Sequence, residues 1–411
     1  MSGVPPISQQ PRAFWKIRYQ EARTHALIGA LVLWAGAAIA TFGSTGDRNL
    51  VDHLKGEDFI QIYTLAHAAF EGEYPTLESR DGFYNRQVEL VPASRGDLYL
   101  PVYPPTAALV FRPLAAFSYR GALAIWTLLT ITGYGCIVWG AWRPVRSTLP
   151  DTGFVWRAAI VFPPFFLLVL FGQTTLLPLA AFFLAWAALR AGRPIAAGMS
   201  LGLLAVKPQF GLVVGVVLLC GGNWRVLLGL MLSLIIQIAG VTWSMGSEAI
   251  SGYARTMSEL PRIEYLLEPD GWRMHSVRTL TRLIPGVGGD IVWASASLWI
   301  VITAVRVWRS GTPLGPKFGV LLFATVLVNP HLFGYDAVVL APAIIWLGAW
   351  LEQVGSPARA SYWQSIYLLS VLFLVPTALL IRVQMSVVVM LWLFWRISRE
   401  LNVTPVAQST A

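Results

Sequence analysis

Twelve apolar runs follow one another along the chain, at about residues 26–44, 120–141, 156–171, 174–190, 194–206, 209–222, 225–245, 289–308, 318–329, 335–351, 361–378 and 380–397. A helix needs roughly 20 apolar residues to cross the hydrocarbon core of a bilayer, and only helices and closed barrels can satisfy their backbone polar groups there. The pattern therefore predicts an all-α polytopic membrane protein with about 10–12 transmembrane helices. Charged residues make up 12% of the chain, against roughly 25% in soluble domains, and the mean hydropathy is +0.61. The runs that meet around Gly172, Pro208 and Pro330 are short. Broken or re-entrant helices are expected there, since irregular backbone is tolerated at membrane depth only away from lipid.

The first run follows a polar, basic segment, residues 1–25, and is longer than the core of a cleavable signal, so it reads as an uncleaved first span. Residues 26–397 form the membrane domain, with long loops at about 46–119 and 247–288, and 398–411 form a tail. The short loops decide orientation. With residues 1–25 in the cytoplasm, that side collects sixteen of the 30 Lys and Arg against four of the 21 acids. Both termini are thus expected in the cytoplasm, in a multi-pass protein of the cell membrane. The net charge of +9 reflects this bias, and no nucleic-acid partner is expected. Cys136 and Cys220 fall inside spans and form no disulfide framework.

With this orientation, every polar cluster that interrupts the apolar pattern falls on the outer face: GED at 56–58, FGQTT at 171–175, KPQ at 207–209, HSVRTLTRL at 275–283 and NPHLFGYD at 329–336. Five clusters on one face point to a single site. After Asp58, the apolar residues Phe59, Ile62, Tyr63, Leu65, Ala66, Ala69 and Phe70 follow helical spacing up to Gly72. This predicts an amphipathic helix on a membrane surface. Asp58 stands at its N-cap. As a cap its carboxylate satisfies first-turn amides, for about 1 kcal/mol; capping and chemistry are compatible, because a carboxylate fixed by those amides is ionised and rigid, as a general base needs to be. Further on, Tyr103-Pro104-Pro105 predicts an extended entry into a second apolar helix at about 106–117.

The ordered set of Asp58-Phe59 with Tyr63, YPP at 103–105, PLA after the next apolar run, GQ at 172–173, GLLAVKPQ at 202–209, NPH at 329–331 and YD at 335–336 resembles glycosyltransferase family 87. That family is similar to the polyprenyl-phosphate-mannose-dependent α-mannosyltransferases of the GT-C superfamily. The resemblance covers about residues 25–397. It implies a GT-C-like fold with a long first outer loop, a polyprenyl-phosphate-sugar donor, and a glycolipid or polysaccharide acceptor in or beside the bilayer. It places the acidic catalytic role on Asp58, with Glu57 as a weaker neighbour and His331 as a helper base or a hydrogen-bond donor to phosphate. It also assigns Tyr63, Tyr103, Gln173, Gln209 and Asn329 to substrate binding. Because the family's donor is β-linked, an α product means inversion by single displacement.

The residue chemistry is compatible with transfer from a sugar phosphate, which needs a base for the acceptor hydroxyl and cations for the departing phosphate. Lys207, Arg278 and Arg282 are the candidate cations, the arginines sharing a helix face at i and i+4. Equally, Lys207 snorkels to the interface and the arginines lie on a solvated helix. Tyr335 and Asp336 either orient His331 or, for Asp336, cap the helix that follows. The chain has no Asp-x-Asp and no GxxxxGK[ST], and none of the five histidines pairs with another at i+3 or i+4. No metal and no cofactor are expected. A secondary transporter or lipid flippase is the competing class, and usually shows internal repeats and mid-membrane charges. A non-catalytic scaffold would reduce Asp58 to a cap.

Overall fold

The computed structural model describes residues 18–72, 79–267 and 271–403. Residues 1–17 and 404–411, the outer parts of the two segments expected in the cytoplasm, lie outside the described residues. Every regular element among the described residues is helical, apart from two isolated β-bridges. The chain is an all-α polytopic membrane protein.

Among the described residues, five helices are long and apolar enough to cross a bilayer singly: Tyr19–Phe42, Tyr119–Val145, Trp224–Met245, Val287–Arg309 and Gly334–Gln353. A sixth span arises if Thr152–Val161 and Pro163–Leu170, bent by 49°, are taken together. The bend falls at Phe162, whose backbone (φ −57°, ψ 111°) has left the helical region ahead of Pro163-Pro164, as the residue before a proline must. Other apolar runs form shorter helices: Leu176–Arg190, Pro194–Val206, Pro208–Cys220 and Leu314–Val328. At 1.5 Å per residue, a helix of about 15 residues reaches only about 22 Å, short of the ~30 Å core. The smaller number than the expected 10–12 transmembrane helices has a local cause. The chain breaks at Gly172–Thr175, at Lys207 and between Asn329 and Phe333, where the short apolar runs anticipated it.

These breaks are buried in protein. Gln173, Thr174, Thr175, Lys207, Asn329 and Asp336 are each 5% exposed or less, and their backbone irregularity is thereby kept from lipid. Pro194–Gly202 packs along Trp224–Met245, and Leu314–Val328 lies between Val287–Arg309 and Leu340–Gln353. Pro163–Leu170 packs on the 3-10 turn Gly334–Val339, which brings the first and third breaks together.

The first long loop is a folded unit. The predicted helix is Phe59–Glu71, closed by Gly72 in the left-handed region at φ 79°. It is not laid on a surface: nine of its thirteen residues are buried. Pro105–Phe111, Arg112–Ala116 and Arg80–Leu90 pack around it, so its apolar residues face protein on most sides. The second apolar stretch forms Pro105–Phe111 after an extended Pro104 (ψ 157°), as the YPP motif predicted. The other long loop carries Glu248–Leu267 and then returns to the core. Met274 bridges Phe333, the His275 N–H donates to the Leu332 carbonyl at 2.8 Å, and the His275 ring meets Ser386 Oγ at 2.7 Å. Burial lowers the His275 pKa to about 3, so this anchor stays neutral at ordinary pH.

Candidate active site

Two glycines bring the first loop onto the first break. Gly56 lies at φ 76° and Gly172 at φ 60°. A Cβ on Gly172 would sit 2.7 Å from the Cβ of Phe59 and 3.0 Å from the Gly56 carbonyl oxygen, distances that no side chain accepts. With hydrogen there, the two turns touch. Gln173 then points its side chain at the residue beside Glu57.

Asp58 is the N-cap residue of Phe59–Glu71, yet its side chain makes no capping bond. The reason is local. The Phe59, Ile60 and Gln61 N–H groups donate to the Gly56, Glu57 and Asp58 carbonyls at 2.6, 3.3 and 3.2 Å, so backbone acceptors take the amides that a capping carboxylate would seek. Glu57, at φ 24°, takes up the strain of this tight turn. The freed Asp58 carboxylate accepts from Gln173 Nε2 at 2.6 Å and from the Tyr335 hydroxyl. It remains partly exposed.

Gln173 is the hub. Its Nε2 also donates to the Tyr335 hydroxyl at 3.1 Å. Its Oε1 accepts from the Tyr103 hydroxyl at 2.9 Å and from Lys207 Nζ at 3.2 Å. Lys207 further donates to Thr175 Oγ1 at 2.9 Å and Asp336 Oδ1 at 2.8 Å, and its ammonium lies 5.2 Å from the centre of the Tyr335 ring. Thr175 Oγ1 donates to the same Asp336 oxygen at 2.5 Å, while Asp336 Oδ2 accepts from the Phe333 N–H at 3.2 Å. Snorkelling of Lys207 is thus corrected: it is 5% exposed and in a buried ion pair. Asp336 does cap, with one oxygen, the start of the turn Gly334–Val339 to which it belongs, while the other holds the lysine.

Four of the five polar clusters meet in this network, and the fifth docks against the 329–336 segment through Met274 and His275. The remaining sequence candidates stand apart from it. Tyr63 is a strut of the loop, donating to the Phe117 carbonyl at 2.9 Å and packing on Tyr119 and His67. Gln209 is half-buried in the turn after Lys207. The Asn329 side chain accepts from the His331 N–H at 3.0 Å, and its Nδ2 is buried without a partner. The His331 ring stands edge-on to Phe333 at 4.9 Å. The Tyr335 hydroxyl and both Asp336 oxygens serve the network. Arg278 and Arg282 line a pocket of about 280 Å³ with Thr281, Gly286 and Asp290, and Arg278 packs over Trp293.

Burial pushes the Asp58 carboxyl above its ordinary pKa, against the hydrogen bond from Gln173, the charge of Lys207 and the bond from Tyr335. Burial also raises Glu57, to about 7; the Asp58 charge adds to this and Arg273 opposes it. A carboxylate whose pKa is raised is a stronger base when ionised. Thr175, Tyr99 and Arg273 were missed by sequence reasoning. Thr175 stands inside the quoted FGQTT, but nothing in a sequence tells a break threonine that bonds an ion pair from one that bonds its own backbone.

The model of glycosyltransferase family 87 matches residues 102–330, more than half of the chain. The chain belongs to glycosyltransferase family 87. No curated protein and no solved structure gives a match. As a family 87 member the chain is a membrane glycosyltransferase, and its partners are a sugar donor, an acceptor and the lipid bilayer. The matched stretch holds Tyr103, Gln173, Lys207, Arg278, Arg282 and Asn329. Asp58, His331, Tyr335 and Asp336 fall outside it, so for these four the family match adds nothing to the geometry.

Proposed function

We propose that this glycosyltransferase moves a sugar, mannose foremost, from a polyprenyl-phosphate donor to a hydroxyl of a lipid or glycan acceptor at the outer face of the cell membrane. Both termini are then cytoplasmic and the fold is of the GT-C type. Asp58 takes the proton of the acceptor hydroxyl as its oxygen attacks the anomeric carbon. The bond from that carbon to the phosphate oxygen breaks, and the polyprenyl phosphate departs with the electron pair. Attack opposite a β-linked phosphate gives an α product. Arg278 and Arg282, beside their pocket, offset the charge of the departing phosphate. His331 and Glu57 remain at the margin of this scheme.

The observation that carries this reading is the Asp58 carboxylate: diverted from its own helix and tied to Gln173, on a residue that is partly exposed. A mere cap would have bonded the first-turn amides. Family membership disfavours the transporter or flippase reading.

The test is sugar transfer by the purified chain in lipid, from polyprenyl-phosphate-mannose to a panel of membrane glycolipids, comparing wild type with Asp58→Asn. A loss of more than about a hundredfold in folded variant protein is expected, the size of a missing general base. Equal rates would move the search to Glu57 and His331. Activity is also expected to persist in EDTA, and a rate abolished by chelation and restored by a divalent ion would overturn the metal-free scheme.

A further inference from the structure

A glutamine amide has two nearly interchangeable ends, and the one facing Asp58 must be the NH2. Turned over, Gln173 would present its carbonyl oxygen to a carboxylate. What selects the orientation lies on the far side. There the amide meets Lys207 Nζ at 3.2 Å and the Tyr103 hydroxyl, a donor at 2.9 Å, so a flipped NH2 would face an ammonium group.

Lys207 has no hydrogen to spare. An ammonium carries three, and they go to Gln173 Oε1, Thr175 Oγ1 and Asp336 Oδ1 at 3.2, 2.9 and 2.8 Å. Its side chain is 6% exposed and that of Asp336 2%. A phosphate could reach this cation only by displacing one of these three partners inside the protein.

We propose that Lys207, Asp336 and Thr175 form a positioning unit, which fixes the amide of Gln173 in one orientation and through it the carboxylate of Asp58, and that Lys207 does not contact the donor phosphate. The unit joins all three helix breaks: Thr175 comes from the first, Lys207 from the second, and Asp336, held by the Phe333 N–H, from the turn after the third. Breaking an apolar helix is costly unless the freed groups find partners. Here each break supplies one member of the unit. The proposal rests on Asp58 being the base.

The charged and titratable groups around Asp58 are Glu57 on its own turn, Lys207, Tyr335 and Asp336 across the breaks, and Tyr99, Tyr103 and Tyr119 from the loop and the helix after it. In the double variant Lys207→Met/Asp336→Leu, a cation and an anion leave together, so their opposed effects on Asp58 largely offset. What remains is a Gln173 free to turn.

The experiment uses the full chain in lipid nanodiscs and compares wild type, Asp58→Asn and the double variant. Binding of sugar-free polyprenyl phosphate is read first, since it needs no turnover. Affinity within about twofold of wild type is expected for the double variant, and a loss of more than about tenfold would make Lys207 a phosphate ligand and end the proposal. Transfer from polyprenyl-phosphate-mannose is read next across pH. The double variant is expected to keep the donor KM, lose about ten- to a hundredfold in kcat, and show its acid limb at higher pH, because Asp58 has lost a hydrogen bond to its charged form. A wild-type kcat and limb beside an inactive Asp58→Asn would overturn the positioning unit alone. Full activity in Asp58→Asn would overturn the base and the unit together. Should the double variant fail to fold, Thr175→Val is the milder break and Thr175→Ser its rescue. Equal profiles for these two would also refute the unit.

Discussion

The centre and the rim of the site handle charge in opposite ways. At the centre, Lys207 and Asp336 are buried against each other with every strong donor paired. At the rim, Arg282 is exposed and Arg278 half-buried over Trp293, and both line a pocket. Glu57 is partly exposed, with the charge of Arg273 near it. A buried pair is costly to form and more costly to break, which suits a frame. Arg278 and Arg282 border a pocket that an anion could enter, which suits a ligand. The number of cations in the motifs therefore says little about phosphate; whether they line a pocket or are locked in a buried ion pair says more.

The largest effect should come from breaking the centre on one side. Lys207→Ala leaves a buried carboxylate alone, and a loss of about 3–5 kcal/mol is expected, measured by thermal unfolding in nanodiscs. Arg282→Ala should stay within about 1 kcal/mol. Similar losses for both would erase the contrast. Next in size, Arg278→Ala/Arg282→Ala should raise the donor KM about tenfold with kcat nearly kept, the pattern of lost ground-state binding. A fall in kcat at constant KM would place the arginines with the frame instead. Raising ionic strength should weaken donor binding in wild type, because exposed charges are screened beyond about 10 Å at 0.1 M salt, and the double arginine variant should lose that dependence.

The smallest effect concerns Glu57. Its pKa is raised from 4.5 to about 7 in the folded chain, so between those values the native state binds more protons than the unfolded one. Stability therefore falls as pH rises through this window, since the slope follows protons bound unfolded minus protons bound native. Glu57→Gln should flatten that part of the stability profile and shift the acid limb of transfer to lower pH, by removing a like charge beside Asp58. An unchanged limb would mean that solvent screens Glu57 from Asp58.

Much of the architecture was readable from hydropathy and punctuation. Gly172, Pro208 and Pro330 announced the breaks, and YPP announced the turn into Pro105–Phe111, because these residues act through local backbone sterics. The meeting of the polar clusters was readable only as a shared face. Their partners were not: Asp58 reaches Gln173, 115 positions away, and Lys207 reaches Asp336, 129 away. The burial of Phe59–Glu71 was also hidden, since its apolar stripe is the same whether lipid or protein covers it. The directions taken by Tyr335 and Asp336 were equally hidden: four and five positions after His331, they turn their hydrogen-bonding groups into the network.

The turn at Gly334–Val339 has a further consequence, for the life of the chain on the ribosome. Asp336 is made about 280 residues after Asp58, which at ~5–20 residues per second is on the order of 15–55 s. Until then Asp58 lacks the ion pair that backs Gln173, and Lys207, once made, lacks its counter-ion. On the roles proposed for Asp58 and Lys207, a growing chain is inert until its last break is in place, and a product truncated before the turn would carry the acid with nothing to aim it.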